Sequence, residues 1–196
     1  MTTLKFTPND VLVQAQETPN PFALKFIVNH PIKSKGRATF YSAEECEELP
    51  LASDLLHIKG VKQVYFFENT ITLTHDGSLD QSALEKNSVE VIKTRLPIHD
   101  ADFRIPDEKA YLTLNDRSHL SPELLKIEEI LDRSIRPGLQ ADGGDIELME
   151  LKENELKIMY MGACGGCPSA MMGTLDAIQN ILRHELNNQE LIVCPI

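Results

Sequence analysis

The sequence predicts an α+β protein of two small mixed α/β domains, and three observations carry that prediction. At 196 residues the chain is long for one small domain and suits two, since domains commonly run to about 100–150 residues. Both halves alternate between β-branched or aromatic runs and runs at helical spacing. Between them, from about Pro97 to His119, periodicity fades and Pro97 and Pro106 fall among scattered charges, as in a linker. The expected division is a domain over 1–96, a linker over 97–119 and a second domain over 120–196.

In the first half, "FALKFIV" (Phe22–Val28) is apolar and half β-branched or aromatic, which predicts a strand. Pro19 and Pro21 before it hold only a turn or an edge. A polar stretch follows, and "LASDLLHIKGV" then reads as a short helix stopped at Gly60. "VKQVYFF" and "TITLT" flank Glu68 and Asn69, the pattern of a hairpin with a two-residue loop. Leu84, Val91 and Leu96 place a closing amphipathic helix after Ser78. "AYLTL", inside the linker, is a candidate short strand.

The second half opens on a helix signal. Ser121 stands at the N-cap, Pro122 at the first helical position and Glu123 behind it, which satisfies or tolerates the open N–H groups. Leu124, Ile127, Leu131 and Ile135 line one face, and Pro137 with Gly138 is expected to stop the helix. "DIELMEL" and "ELKIMYM" around Lys152–Asn154 predict a second hairpin, and "DGGD" (Asp142–Asp145) a turn leading into it. Met171, Leu175, Ile178 and Leu182 mark a helix running to about Leu186, and "LIVCPI" reads as a last strand.

Composition narrows the function. A net charge of −11 argues against nucleic acid, whose phosphates are neutralised by Lys and Arg. The excess is uneven: residues 1–100 carry 10 basic and 13 acidic side chains, and residues 101–196 carry 9 and 17. No apolar run approaches the roughly 20 residues that cross a bilayer. "MTTLKFTPND" lacks the pattern of a signal or transit peptide, so a cytoplasmic protein with no membrane partner is expected. Disulfides are not expected of the four cysteines, Cys46, Cys164, Cys167 and Cys194.

Cys164 and Cys167 carry the chemistry. Two thiols three residues apart converge on one side, and Gly162, Gly165 and Gly166 let a bulky inorganic group approach the backbone. Pro168 suits the first position of the following helix, whose positive end is expected to lower the thiol pKa values. The spacing alone leaves an iron-sulfur cluster, zinc or dithiol redox chemistry open. Zinc and ordinary clusters take four ligands, and this chain has no second Cys-x-x-Cys. His184 lies about 25 Å along the helix axis, out of reach. The simplest closure is symmetric, with Cys164 and Cys167 of two chains around one group on a two-fold axis. Such a site, shared and bordered by glycine, suits temporary carriage. Cys194 reads as a small buried hydrophobe and Cys46, in "AEECEELP", as an incidental surface thiol.

"IRPGLQADGGDIELMEL" followed by "MGACGGCPSAMMGTL" resembles the C-terminal domain of NifU and of Nfu-type iron-sulfur cluster proteins, over roughly Leu120–Ile196. "TPNPFALKFIVNHPI", "LASDLLHIKGVKQVYF" and "ITLTHDGSLDQSALEKNSVEVI" resemble the N-terminal domain of many Nfu proteins. The resemblance implies a scaffold or carrier rather than an enzyme. Cys164 and Cys167 of two subunits would bind a [4Fe-4S] cluster between them, with a [2Fe-2S] form left open. The cluster would come from upstream assembly machinery and pass to apo iron-sulfur proteins, such as aconitase or the radical enzymes that make lipoate. The further cysteines of full NifU scaffolds have no counterpart here, which favours late carriage over de novo assembly. The first domain, lacking ligands, is expected to control access or partner docking. Behind the motif, Ala170–Gly173 depart from the more polar residues often found there. The alternatives to the family reading are a zinc-binding interaction module and a dithiol oxidoreductase.

Overall fold

A computed structural model of the chain describes residues 10–104, 121–165 and 168–196, without the side chains of 168–172. The candidate strand at "AYLTL" lies outside the described residues. The N-terminal half forms an antiparallel five-stranded sheet of β1 (Val13–Glu17), β2 (Ala23–Val28), β3 (Lys33–Phe40), β4 (Val61–Glu68) and β5 (Thr70–His75), in the order β1-β2-β5-β4-β3. Phe67 pairs with Thr70, so Glu68 and Asn69 form the expected two-residue loop, with Glu68 at φ +48°. Helices α1 (Pro50–Leu56) and α2 (Gln81–Arg95) pack together, and α1 lies on β4. Asp80 caps α2 by accepting from the backbone N–H groups of Ser82 and Ala83.

Side chains alternate across this sheet, as the pleat requires. Leu24, Phe26, Ala38, Phe40, Val64, Phe66, Ile71 and Leu73 join the helices in one core. The intervening residues Lys25, Arg37, Thr39, Gln63, Tyr65, Thr72 and Thr74 make the opposite face polar. That face is covered: Lys25 is 7% exposed, Tyr65 1% and Thr72 0%. The cover comes from the C-terminal half, with β4 and β5 both packed on its second strand. Residues 97–104 stay with the first core, where Phe103 is buried and its carbonyl accepts from Lys33 Nζ at 2.5 Å.

The C-terminal half begins with α3 (Pro122–Ser134), where Ser121 Oγ accepts from the Leu124 N–H at 3.2 Å, the expected cap. The expected stop at Pro137 and Gly138 needs correction. The chain leaves helical geometry at Ile135 (φ −122°), and Pro137 opens a second short helix, α4 (Arg136–Ala141). Proline is tolerated there because the first turn does not need its N–H. β6 (Gly144–Lys152) and β7 (Glu155–Gly162) form the second hairpin, with Glu153 and Asn154 as its loop. α5 (Pro168–Leu186) then runs back over the sheet, and β8 (Ile192–Pro195) adds parallel to β7. Ile127, Leu131, Ile146, Ile158, Ile178 and Leu182 centre a second core. Among the described residues no helix is long and apolar enough to cross a membrane.

Candidate functional site

Cys164 stands where the second hairpin ends. Gly144 and Gly162 pair across its open end, and the Ala163 N–H donates to the Gly143 carbonyl at 3.0 Å. The Gly165 N–H turns back to the Gly162 carbonyl at 3.1 Å, which folds Cys164 over the first residues of β6. Two glycines are required for this. Gly162 takes φ +60°, and a Cβ there would run into the Gly143 carbonyl and lie 2.9 Å from Tyr65. A Cβ on Gly144 would collide with Cys164 Sγ and lie 2.8 Å from its backbone N. The expected turn over Asp142–Asp145 is thus the seat of the cysteine.

Under this loop lies a buried charge. Asp145, 0% exposed, meets Arg37 Nη1 at 2.8 Å through Oδ2 and Arg136 Nε at 3.5 Å through Oδ1. Tyr65 Oη and Gln140 Nε2 donate to Oδ2 at 3.3 and 3.2 Å, and the Ile146 N–H donates to Oδ1 at 2.8 Å. Arg136 also spans to Glu128 at 2.5 Å and Asp132 at 2.5 Å, tying α3 and α4 to the start of β6. A buried carboxylate held this way needs every partner. Arg37 and Tyr65 carried no local sequence signal as partners of Asp145, because they lie 108 and 80 residues away from it along the chain.

The thiol of Cys164 is pushed up to about 12 by burial first, then by the carboxylates of Asp145 and Asp142; a backbone hydrogen bond from Asp145 acts the other way. For Cys164 the expected lowering is corrected to a rise, with burial and two carboxylates as its causes. Tyr160 is pushed up to about 12 by burial and by Cys164. A sulfur that ligates a metal sheds its proton, so ligation at Cys164 would release one. Cys164 is half-buried beside a cavity of about 50 Å³ that Pro19, Asn20, Leu139, Tyr160 and Thr174 help to line.

Cys167 lies outside the described residues. Cys46 corrects the expectation of a surface thiol. The 3-10 turn Ala43–Cys46 points it inward at 3% exposure, and burial with Glu45 and Glu44 raises its pKa to about 11. Cys194, expected to be buried, is half-exposed on the last strand. Among the described residues, no three His, Cys, Asp or Glu side chains converge in a metal-binding group. Cys164 offers a soft sulfur ligand, and one backbone hydrogen bond, from Asp145, favours its thiolate.

Two family models match this chain, the NifU-like domain over residues 127–193 and the Nfu/NifU scaffold N terminus over residues 13–98. Together they define an iron-sulfur scaffold class built from these two modules. A protein of Drosophila erecta named as a mitochondrial iron-sulfur cluster scaffold homologue of the NFU1 type is 30% identical over 188 residues, covering 93% of this chain and 64% of its own. Its Drosophila persimilis counterpart is 31% identical with the same coverage. This chain belongs to the Nfu-type family of iron-sulfur cluster scaffold proteins. It spans 64% of the length of these curated relatives. The solution structure of a NifU-like protein from Saccharomyces cerevisiae aligns at a TM-score of 0.43 and 16% identity, over 52% of this chain and 91% of that one, too distant to carry an argument. The expectation of a cytoplasmic protein is corrected, because these relatives are named mitochondrial. It had rested on a missing leader pattern, and an absent pattern is no address.

Proposed function

We propose that this chain carries an iron-sulfur cluster and hands it to apo-proteins. In this proposal Cys164 and Cys167 from each of two chains hold one [4Fe-4S] cluster, making a homodimer that exists when loaded. The cluster comes from upstream assembly machinery and leaves to apo iron-sulfur acceptors, with no catalysed reaction. Residues 120–196 bind the cargo, and residues 1–96 govern access across the linker 97–119.

The observation that supports this most is the seat of Cys164, a thiol at the mouth of a hairpin whose two end glycines make room for it. Family membership supplies the cargo class, and a cysteine pair supplies half of the four ligands a cluster takes. Anaerobic reconstitution with iron and sulfide, with absorbance and mass per particle read together, tests it. One brown four-iron cluster per two chains is the expected result. A monomer holding the full cluster, or a chain that takes up zinc but never iron, would overturn it.

A further inference from the structure

We propose that the polar face of the N-terminal sheet is a lid over the Cys164 loop, latched by Asn20, and that it lifts before a second chain's cysteines can share a cluster. The inference rests on the carrier reading above and adds how that site is gated. Asn20 is 2% exposed, and Pro19 and Pro21 hold it in a rigid turn. Its Oδ1 accepts from the Phe22 N–H at 2.9 Å, which fixes the amide so that Nδ2 faces outward. Nδ2 donates to the carbonyls of Ala163 at 3.0 Å and Gly165 at 3.2 Å, the two residues flanking Cys164. One side chain from the first half therefore brackets the cysteine of the second.

The rest of the face holds the lid down. Lys25 Nζ donates to the Ala141 carbonyl at 2.6 Å, Arg37 pairs with Asp145 at 2.8 Å and Tyr65 Oη donates to the same carboxylate. The cavity left at Cys164, about 50 Å³ with Pro19 and Asn20 in its wall, has room for a few waters. It has none for an inorganic cluster and a partner's two sulfurs. The face also suits reversible use. A seam closed for good is normally apolar, whereas Lys25, Arg37, Gln63, Tyr65, Thr72 and Thr74 hydrate well once released. Closed, most of these groups find partners, the Thr72 hydroxyl excepted; open, they find water.

Asn20→Asp tests the latch with little change of shape. The carboxylate keeps the acceptor for the Phe22 N–H but sets an anion against two carbonyl oxygens. Reduced apo-protein is treated with iodoacetamide and labelling at each cysteine is followed by peptide mass spectrometry, with buried Cys46 as the internal reference. Cys164 is expected to label at least about tenfold faster, the equivalent of two lost hydrogen bonds, with Cys46 unchanged. An added negative charge suppresses thiolate formation, so acceleration cannot arise from that charge. Arg37→Gln, which removes the ion pair without touching the turn, is expected to act in the same direction. Cys164 labelling within twofold of the parent in both variants, or equal acceleration at Cys46, overturns the lid. Iron uptake during reconstitution should also quicken in Asn20→Asp. Should neither protein take up iron, the carrier reading falls, while the labelling still decides the lid.

Discussion

The two halves of this molecule bury their polar groups in opposite ways. In the first, the core itself is apolar and aromatic, with Phe40, Phe66, Phe103 and His99 in edge-on or tilted contact. Most of its polar residues are exported to one sheet face, with Lys33 and Ser88 as buried exceptions. In the second, a carboxylate with 0% exposure sits at the root of the hairpin, next to the cysteine loop. The first half is built for stability, and the second spends stability on placing a site. The difference teaches where sensitivity should lie. Changes at Cys164 should alter function, changes in the aromatic core should alter folding, and changes at Asp145 should loosen the contact that joins the two.

The sharpest break between the halves is at the thiols. Cys164→Ser is expected to abolish cluster uptake and cluster-dependent dimerisation together, whereas Cys46→Ala leaves both intact. Absorbance and mass after reconstitution read the result, and uptake by the Cys164→Ser chain would erase the distinction. The next effect is purely structural. Phe66→Ala removes a fully buried ring from the first core, at a cost of about 3–5 kcal/mol. Hydrogen exchange should show β2, β4 and β5 losing protection while the hairpin β6–β7 loses less.

Asp145→Asn addresses the group that joins the two. It keeps the shape but removes the charge facing Arg37 and Arg136 and replaces one of two accepting oxygens by an NH2 that cannot accept, an expected loss of about 3 kcal/mol. Because Asp145 reaches into both halves, protection should fall on both sides of the contact, read as a lower denaturant midpoint. A loss confined to the C-terminal half would mean that Arg37 adds nothing to the docking.

How much of this was legible locally follows from sequence distance. The cap at Ser121, the two-residue loop of the first hairpin, the helix behind Pro168 and the last strand each carry a signal within a few residues and are found where the sequence places them, and the second hairpin turns within the expected Lys152–Asn154 at Glu153 and Asn154. β3, "KSKGRATF", was only a polar stretch, because Arg37 and Thr39 face the other half and leave only Ala38 and Phe40 to signal a strand. Cys46 misled through its acidic neighbours, since a single 3-10 turn is enough to point one side chain inward. "DGGD" was legible as a turn and opaque as a site: what makes Asp145 matter is an arginine in the other half.

The smallest expected effect is a pH dependence confined to the first half. His99 Nε2 lies 2.7 Å from the Ile32 carbonyl, with its ring against Phe66 and Phe103. Its pKa is lowered, chiefly by burial and also by Lys33, against raising contributions from the Ile32 carbonyl and Asp100. His75, edge-on to Phe22, is lowered by burial too, with Asp76 opposing. A depressed folded pKa means that the neutral ring stabilises the fold above the unfolded value of about 6.5. That contribution is lost as pH falls below it toward the folded value. Protection in β2, β4 and β5 should therefore weaken between pH 7.5 and 5 by more than protection in β6 and β7, after correction for intrinsic exchange. His99→Gln retains an N–H for the Ile32 carbonyl and cannot titrate, so it should flatten most of that loss, and His99→Gln with His75→Gln should remove it. An undiminished loss in the double variant would place the sensitivity on the carboxylates, and so in the contact between the halves instead of in the aromatic core.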